Sequence, residues 1–160
     1  MVLTDDEWAD GFALKFFGSV RLVRAAWPQL KERSGSVVNI VGVGGRTPGA
    51  DFAIGGSVNA ALLSFTKALA AVGVRDGVQV NAVNPGFVRT DRLEARLQTV
   101  AQEQGFSPAE AAERMVKAAG VTRLGEPEDV ANLVAFIVSP RGRLLQGALI
   151  DIDGGQTKTI

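Results

Sequence analysis

The sequence predicts an α/β fold in which parallel strands are joined by helical crossovers. Three short apolar runs have the length and β-branched character of buried strands, and helical patterns separate them. The order helix, strand, helix, strand, helices, strand favours crossover connections and a parallel sheet. With 160 residues, 46% of them hydrophobic, the chain can bury one core, so we expect a single domain over residues 1–160.

Each element has its own local signal. Thr4 and Glu7 form a capping-box pattern that opens a long helix over 5–32, in which Pro28 is expected to kink the last turn. Ser-Pro at 107–108 and Glu-Pro at 126–127 are typical helix openings. The remaining expectations are strands at 36–41, 78–83 and 148–152, a glycine-rich loop at 42–49, and helices at 57–72 and 91–104.

Composition excludes several classes of function. Lys+Arg and Asp+Glu both total 17, so the charge balance predicts no nucleic-acid partner and no anionic membrane partner. We expect no membrane-spanning segment, because the apolar runs fall short of the ~18 residues that such a helix needs. Residues 1–6 do not resemble a signal peptide. A cytoplasmic protein is therefore expected.

The sequence contains no Cys, no His and no Tyr. A thiolate nucleophile or metal site is therefore impossible, and so is a Ser-His-Asp triad. No calcium-loop spacing of carboxylates is present either, and we expect no metal site.

Three stretches carry a resemblance to a known family. They cover 35–40, 80–90, and 123–131 together with 146–155, where the last ends in Asp-Gly-Gly. These stretches resemble the fifth, sixth and seventh strands of the short-chain dehydrogenase/reductase family. The resemblance implies a truncated, doubly wound Rossmann-like sheet of about three parallel strands flanked by helices.

The resemblance also locates the positions of the family's Asn, Ser, Tyr and Lys catalytic residues. Lys15 stands at the Asn position, Gly42 at the Ser position, Gly55 at the Tyr position and Asn59 at the Lys position. The glycine-rich turn that holds the cofactor pyrophosphate is missing as well. We therefore expect a truncated homologue without oxidoreductase activity or cofactor, acting as an oligomeric or binding protein.

Two alternatives stay open. In the first, Pro85, Gly86, Val88 and Thr90 keep the pattern of the nicotinamide-side loop, and the chain is an NAD(P)-dependent oxidoreductase with a residual site. The simpler interpretation of this loop, which we favour, is a turn after a strand.

In the second alternative, Ser57, Lys15 and Asn59 form a remodelled hydrolase or lyase cleft. Burial would depress the pKa of Lys15 and suit it to amine catalysis. We favour instead a Lys15 stem that carries its ammonium to solvent. Ser57 is equally suited to helix capping or packing.

The resemblance further implies a homo-oligomer. In the family, the helices corresponding to 5–32 and 57–72 form a subunit interface. The apolar strand at 36–41 is expected to lie at an edge, where it invites pairing with another chain.

Overall fold

The computed structural model describes residues 3–158 and contains a three-stranded parallel sheet flanked by helices. The predicted α/β class is confirmed; the single domain over 1–160 stays a prediction, and residues 1 and 2 of the first segment lie outside the described range. The strands are β1 (Ser36–Ile40), β2 (Gln79–Pro85) and β3 (Leu149–Ile152). The helices are α1 (Asp5–Phe12), α2 (Ser19–Glu32), α3 (Ala53–Asp76), α4 (Asp91–Gln104), α5 (Pro108–Ala119) and α6 (Pro127–Val138).

Strand β2 is the centre of the sheet. It pairs in parallel with β1, with Ile40 opposite Val83, and with β3, with Pro85 opposite Ile152. The segment 80–84 is 0% exposed, because helices cover both faces. Since all three strands run the same way, their carboxyl ends meet at one edge of the sheet, where open α/β sheets bind ligands.

Helix α3 packs across β2 and fixes the loop that follows β1. Leu62 and Leu63 contact Ala82 in the core, and Phe16 and Phe65 pack against this cluster. The loop approaches α3 so closely that a Cβ on Gly45 would lie 2.9 Å from the helix backbone, which only glycine allows.

The same helix corrects one sequence expectation. The helical segment Ala50–Asp76 has 27 residues and a mean hydropathy of 1.4 in its most apolar window, so by length and composition it could cross a membrane. It lies instead against the sheet, and its polar Asn59 and Thr66 are buried inside the fold. It is the core helix of an α/β unit.

The long first helix is not continuous α-helix. Between α1 and α2 the segment Ala13–Gly18 forms one π-helical turn, in which the widened backbone inserts an extra residue. The sequence predicted an uninterrupted helix disturbed only at Pro28, which lies inside α2. A π turn rotates the residues that follow it, and it therefore changes which side chains face the sheet.

Other element bounds differ modestly from the prediction. Helix α3 begins at Ala53 rather than 57, because the 3₁₀ turn Ala50–Phe52 leads directly into it, and it ends at the left-handed Gly77. Strand β2 runs on to Pro85 because its last residues pair with β3. The loop after β1 contains a 3₁₀ turn at Val43–Gly45.

Helices α4 and α5 form a second apolar cluster beside the sheet. Leu93, Leu97 and Ala101 of α4 pack against Ala111 and Ala112 of α5. This pair begins directly after the loop at the end of β2, so it overhangs the carboxyl edge of the sheet.

Buried amides attach the segment before β3 to the central strand. The side chain of Asn81, 0% exposed, donates to the carbonyl of Leu145 at 2.9 Å and accepts from the Ala148 N–H at 2.8 Å. Gln79 adds donor contacts to the carbonyls of Ile137, Gly142 and Leu145. These bonds satisfy backbone groups that the sheet leaves free.

We predict that Asn81→Ala lowers the free energy of unfolding by about 2–5 kcal/mol, because it leaves two buried backbone groups without partners. Urea denaturation measures the change. The matched control Asn132→Ala, at an exposed position of α6, should be neutral or slightly stabilising. Equal effects of the two substitutions would contradict the role given to Asn81.

Candidate active site

Lys15 lies in the π turn and points into the fold. Its Nζ donates to the carbonyl oxygen of Val41 at 2.5 Å and to Oδ1 of Asn59 at 2.6 Å. Ser19 Oγ donates to the Lys15 carbonyl at 2.7 Å, which satisfies one backbone acceptor of the widened turn. The expectation that the Lys15 ammonium reaches solvent is therefore wrong, since it has two acceptors inside the protein.

Burial lowers the pKa of Lys15, and the Arg92 guanidinium on α4 lowers it further. The other groups that face the ammonium are uncharged: the carbonyl at the end of β1 and the amide of Asn59 on α3. None of the ion pairs in residues 3–158 includes Lys15. Its charge is thus held by neutral oxygens alone.

The amide of Asn59 has a fixed orientation. An ammonium group can only donate, so the oxygen of the amide must face Lys15 and the NH₂ group must face the other way. Nδ2 lies beside the loop after β1, where a Cβ added to Gly42 would be 3.3 Å from it. Gly42 has a φ of +125°, a conformation that side chains rarely adopt, and it leaves room for this amide.

Phe52 occupies the space beside Gly55. A Cβ on Gly55 would lie 2.1 Å from the ring carbon Cζ of Phe52, and one on Gly44 would lie 3.0 Å from the same ring. The position that carries Tyr in the family is therefore filled from the neighbouring turn. Any side chain at this position requires Phe52 to move.

A chain of polar groups crosses the carboxyl edge of the sheet. Arg46 and Asp151 form an ion pair at 2.8 Å, and Asp151 Oδ1 accepts from Asn84 Nδ2 at 2.7 Å. Asn84 Oδ1 is buried and has no hydrogen-bond partner within residues 3–158. Sequence reasoning named Arg46 and Asp151 but missed Asn84, for which the signal was an amide directly before Pro85 in a buried strand.

The residues of the nicotinamide-side pattern form the loop that leaves β2. A Cβ on Gly86 would lie 2.8 Å from Asp153, so this glycine permits close packing against the segment after β3. Val88 pairs with Gly125 in an isolated bridge, and Thr90 caps α4 by accepting from the Leu93 N–H at 3.4 Å. Pro85 ends the strand. Each has a structural role, whatever else the loop binds.

Ser57 does not join the site. Its side chain is exposed, it lies inside α3 rather than at the helix start, and within residues 3–158 it forms no hydrogen bond with Lys15 or Asn59. A Ser-Lys nucleophile of the hydrolase type is thus not assembled. In the same described range no group of three or more acidic side chains could hold a metal ion.

The comparisons with known proteins identify the family. Residues 1–157 match the family model described as enoyl-(acyl carrier protein) reductase. The chain belongs to the short-chain dehydrogenase/reductase family. It is 31% identical to an acetoacetyl-CoA reductase of Shinella zoogloeoides over 96% of this chain and 60% of that protein. It is 30% identical to the NADPH-dependent reductase BacG of Bacillus subtilis over 93% of this chain and 58% of that protein.

Solved structures agree in fold. The L-sorbose reductase of Gluconobacter frateurii, complexed with NADPH and L-sorbose, matches with a TM-score of 0.95 and 26% identity over 100% of this chain and 62% of that one. An NADPH-bound short-chain oxidoreductase of Pseudomonas aeruginosa PAO1, described as containing an atypical catalytic center, matches with a TM-score of 0.88 and 25% identity over 98% of this chain and 60% of that one. The chain thus spans about three fifths of the length of these relatives.

These findings correct the main functional expectation. A protein outside oxidoreductase chemistry was expected from the replaced catalytic positions, but the relatives matched over nearly the whole chain are named reductases. The expectation of no cofactor is not confirmed either, because two of the matched structures contain NADPH. The findings favour the alternative of an NAD(P)-dependent oxidoreductase.

We predict that Gly55→Ala lowers the free energy of unfolding by about 1–3 kcal/mol, because the added methyl group displaces Phe52. In a Phe52→Ala background the same substitution should stabilise the protein by up to about 1 kcal/mol, since alanine is the better helix former. Urea denaturation of the four proteins measures this coupling. An equal effect in both backgrounds would show that Phe52 does not fill this space.

Proposed function

We propose that this chain carries the nicotinamide and substrate end of an NAD(P)-dependent oxidoreductase that reduces a carbonyl compound. Its relatives include acetoacetyl-CoA, 3-oxoacyl-[acyl-carrier-protein] and L-sorbose reductases, whose names all refer to ketone substrates. The family likeness supports the class of reaction. It does not select among these substrates, and the replaced catalytic positions require a site of a different design.

The observation that carries the proposal is the contact between Lys15 and Asn59. The family's Lys and Asn have exchanged places, and the two side chains still meet at 2.6 Å beside the end of β1. A cleft that has lost its function has no need to retain an ammonium group against neutral oxygens. Here the site presents N–H donors to the edge at which the family binds substrate, and such donors polarise a carbonyl oxygen.

The described residues fit one end of the cofactor. Glycines at 42 and 44 leave a cradle that side chains would fill, and it adjoins the loop of Pro85, Gly86, Val88 and Thr90. When bound, a reduced nicotinamide supplies a hydride. The sequence offers no counterpart of the glycine-rich turn that binds the pyrophosphate, so nicotinamide contacts must supply most of the affinity of this chain.

Ligand-detected NMR tests the proposal. We expect saturation transfer from the protein to the nicotinamide protons of NADPH and of reduced nicotinamide mononucleotide at millimolar concentration. ADP-ribose, which lacks the nicotinamide, should receive little. With NADPH and a panel of ketones, the absorbance of the reduced nicotinamide should fall over time.

Two glycine variants provide the matched control. Gly42→Ala places a methyl group toward Asn59 at a φ that alanine disfavours, and it should reduce saturation transfer and turnover. Gly49→Ala has open space around it and an ordinary φ, and it should change neither. Circular dichroism verifies that both variants fold. The absence of nicotinamide saturation transfer in the unaltered protein would refute the proposal.

We also propose a homo-oligomer and a cytoplasmic location, where reduced nicotinamide cofactors are available. The helices at 5–32 expose Leu14 (84%), Leu22 (71%) and Phe17, and Ile40 is exposed on β1. Such apolar side chains in one region favour association. Light scattering at micromolar concentration should give at least twice the monomer mass, and Leu14→Lys with Leu22→Lys should reduce it. A monomeric unaltered protein would contradict this part of the proposal.

A further inference from the structure

We propose that Lys15 is the proton donor to the substrate oxygen, with Asn59 as the residue that positions it. The inference rests on the proposed function, and it assigns the acid role that no residue at the family's Tyr position can take. It follows from the inventory of acids in the chain, from the geometry at Nζ and from the charges around it.

The chemical inventory leaves few donors. The sequence contains no Tyr, His or Cys, the side chains that most often exchange protons near neutral pH apart from carboxylates and amines. Arg46 keeps its proton at all relevant pH values. Asp151 accepts from both Arg46 and Asn84, so it is held as a carboxylate without a proton to give. Lys15 remains as the acid at this edge of the sheet.

The geometry at Nζ suits proton transfer. An ammonium has three N–H groups, and two of them donate to Val41 and Asn59. The third is free for a substrate oxygen. After that proton leaves, the neutral amine keeps both internal hydrogen bonds, and its lone pair faces the newly formed hydroxyl. Both protonation states are therefore satisfied without rearrangement of the site.

The step balances. As the carbonyl carbon accepts a hydride, the carbonyl oxygen gains an electron pair. One N–H bond of Lys15 breaks, one O–H bond forms on that oxygen, and Lys15 becomes a neutral amine. Solvent then returns the proton to Lys15. The reductant is a reduced nicotinamide, as the proposed function states.

The electrostatics act in the same direction. Burial and the Arg92 guanidinium lower the pKa of Lys15, and no carboxylate opposes them. A lysine whose pKa approaches the working pH is a better proton donor than one at its ordinary value. Reduction requires the ammonium form, so turnover should decrease as pH rises through the pKa of Lys15.

Substitutions at Lys15 test the role. Lys15→Met should lower kcat about 10²- to 10⁴-fold, the usual contribution of a general acid, while saturation transfer to nicotinamide persists. Lys15→Arg should not restore turnover, because a guanidinium retains its proton. The matched control Lys67→Met, on the exposed side of α3, should retain full turnover.

Asn59→Asp provides a sharper test with two readouts. The new carboxylate next to Lys15 raises its pKa, so the falling limb of the pH profile should move to higher pH. Competitive acetylation with mass spectrometry follows the reactivity of each of the chain's lysines without any turnover. Lys15 should titrate below the other lysines in the unaltered protein and rise in Asn59→Asp.

The outcomes separate the two proposals. Unchanged turnover in Lys15→Met, or a pH profile that ignores Asn59→Asp while acetylation shows the shift, would overturn the role of Lys15 and leave the proposed function in place. Absence of NADPH binding and turnover in the unaltered protein would overturn the proposed function, whatever the acetylation shows.

Discussion

The pairing of β2 with a parallel strand on each side is the constraint on which the rest of this structure depends. Its central residues are completely buried, so the pairing is fixed by the core as well as by backbone hydrogen bonds. Parallel pairing brings the segments after Ile40, Pro85 and Ile152 to a single edge. The Lys15 contact, the Arg46–Asp151 ion pair and the loop into α4 all lie at the ends of these strands, and none of them is close to another in sequence.

Helix α3 supplies the second constraint, and glycines make it possible. The loop after β1 contacts the α3 backbone at Gly45, and Phe52 then folds back over Gly44 and Gly55. Side chains at these positions would push the loop away from Asn59. The loss of a side chain at Gly55 therefore has a local steric partner in Phe52, and the loss of one at Gly42 accommodates the amide of Asn59.

The sequence predicts the framework well because the framework depends on local patterns. Short β-branched runs located each strand to within two residues, and the Ser107 and Glu126 signals located helix starts. The site could be predicted only by position: the resemblance identified Lys15, Gly42, Gly55 and Asn59 as the altered residues. It could not give the direction of Lys15, because that depends on a π turn and on the Val41 backbone carbonyl, which no side-chain motif reveals.

The functional error has a physical origin as well. Each replaced position was compared with the family separately, and each replacement alone removes a catalytic group. Lys15 and Asn59 are, however, the same two residue types in exchanged places, and their side chains are in contact. Their complementarity exists only in three dimensions, because the two positions lie on different helices on either side of β1.

The cost of this contact argues that the ammonium has a use. A partly buried ammonium without a carboxylate partner is unfavourable, and two neutral oxygens compensate it only in part. Because the pKa of Lys15 lies below its ordinary value of 10.5, the unfolded chain binds more protons between these two values, so the free energy of unfolding rises with pH across that window. At neutral pH the charge therefore lowers stability, and an apolar side chain of similar length would remove that cost. Sites that retain such a cost are usually those where chemistry, not packing, determines the residue.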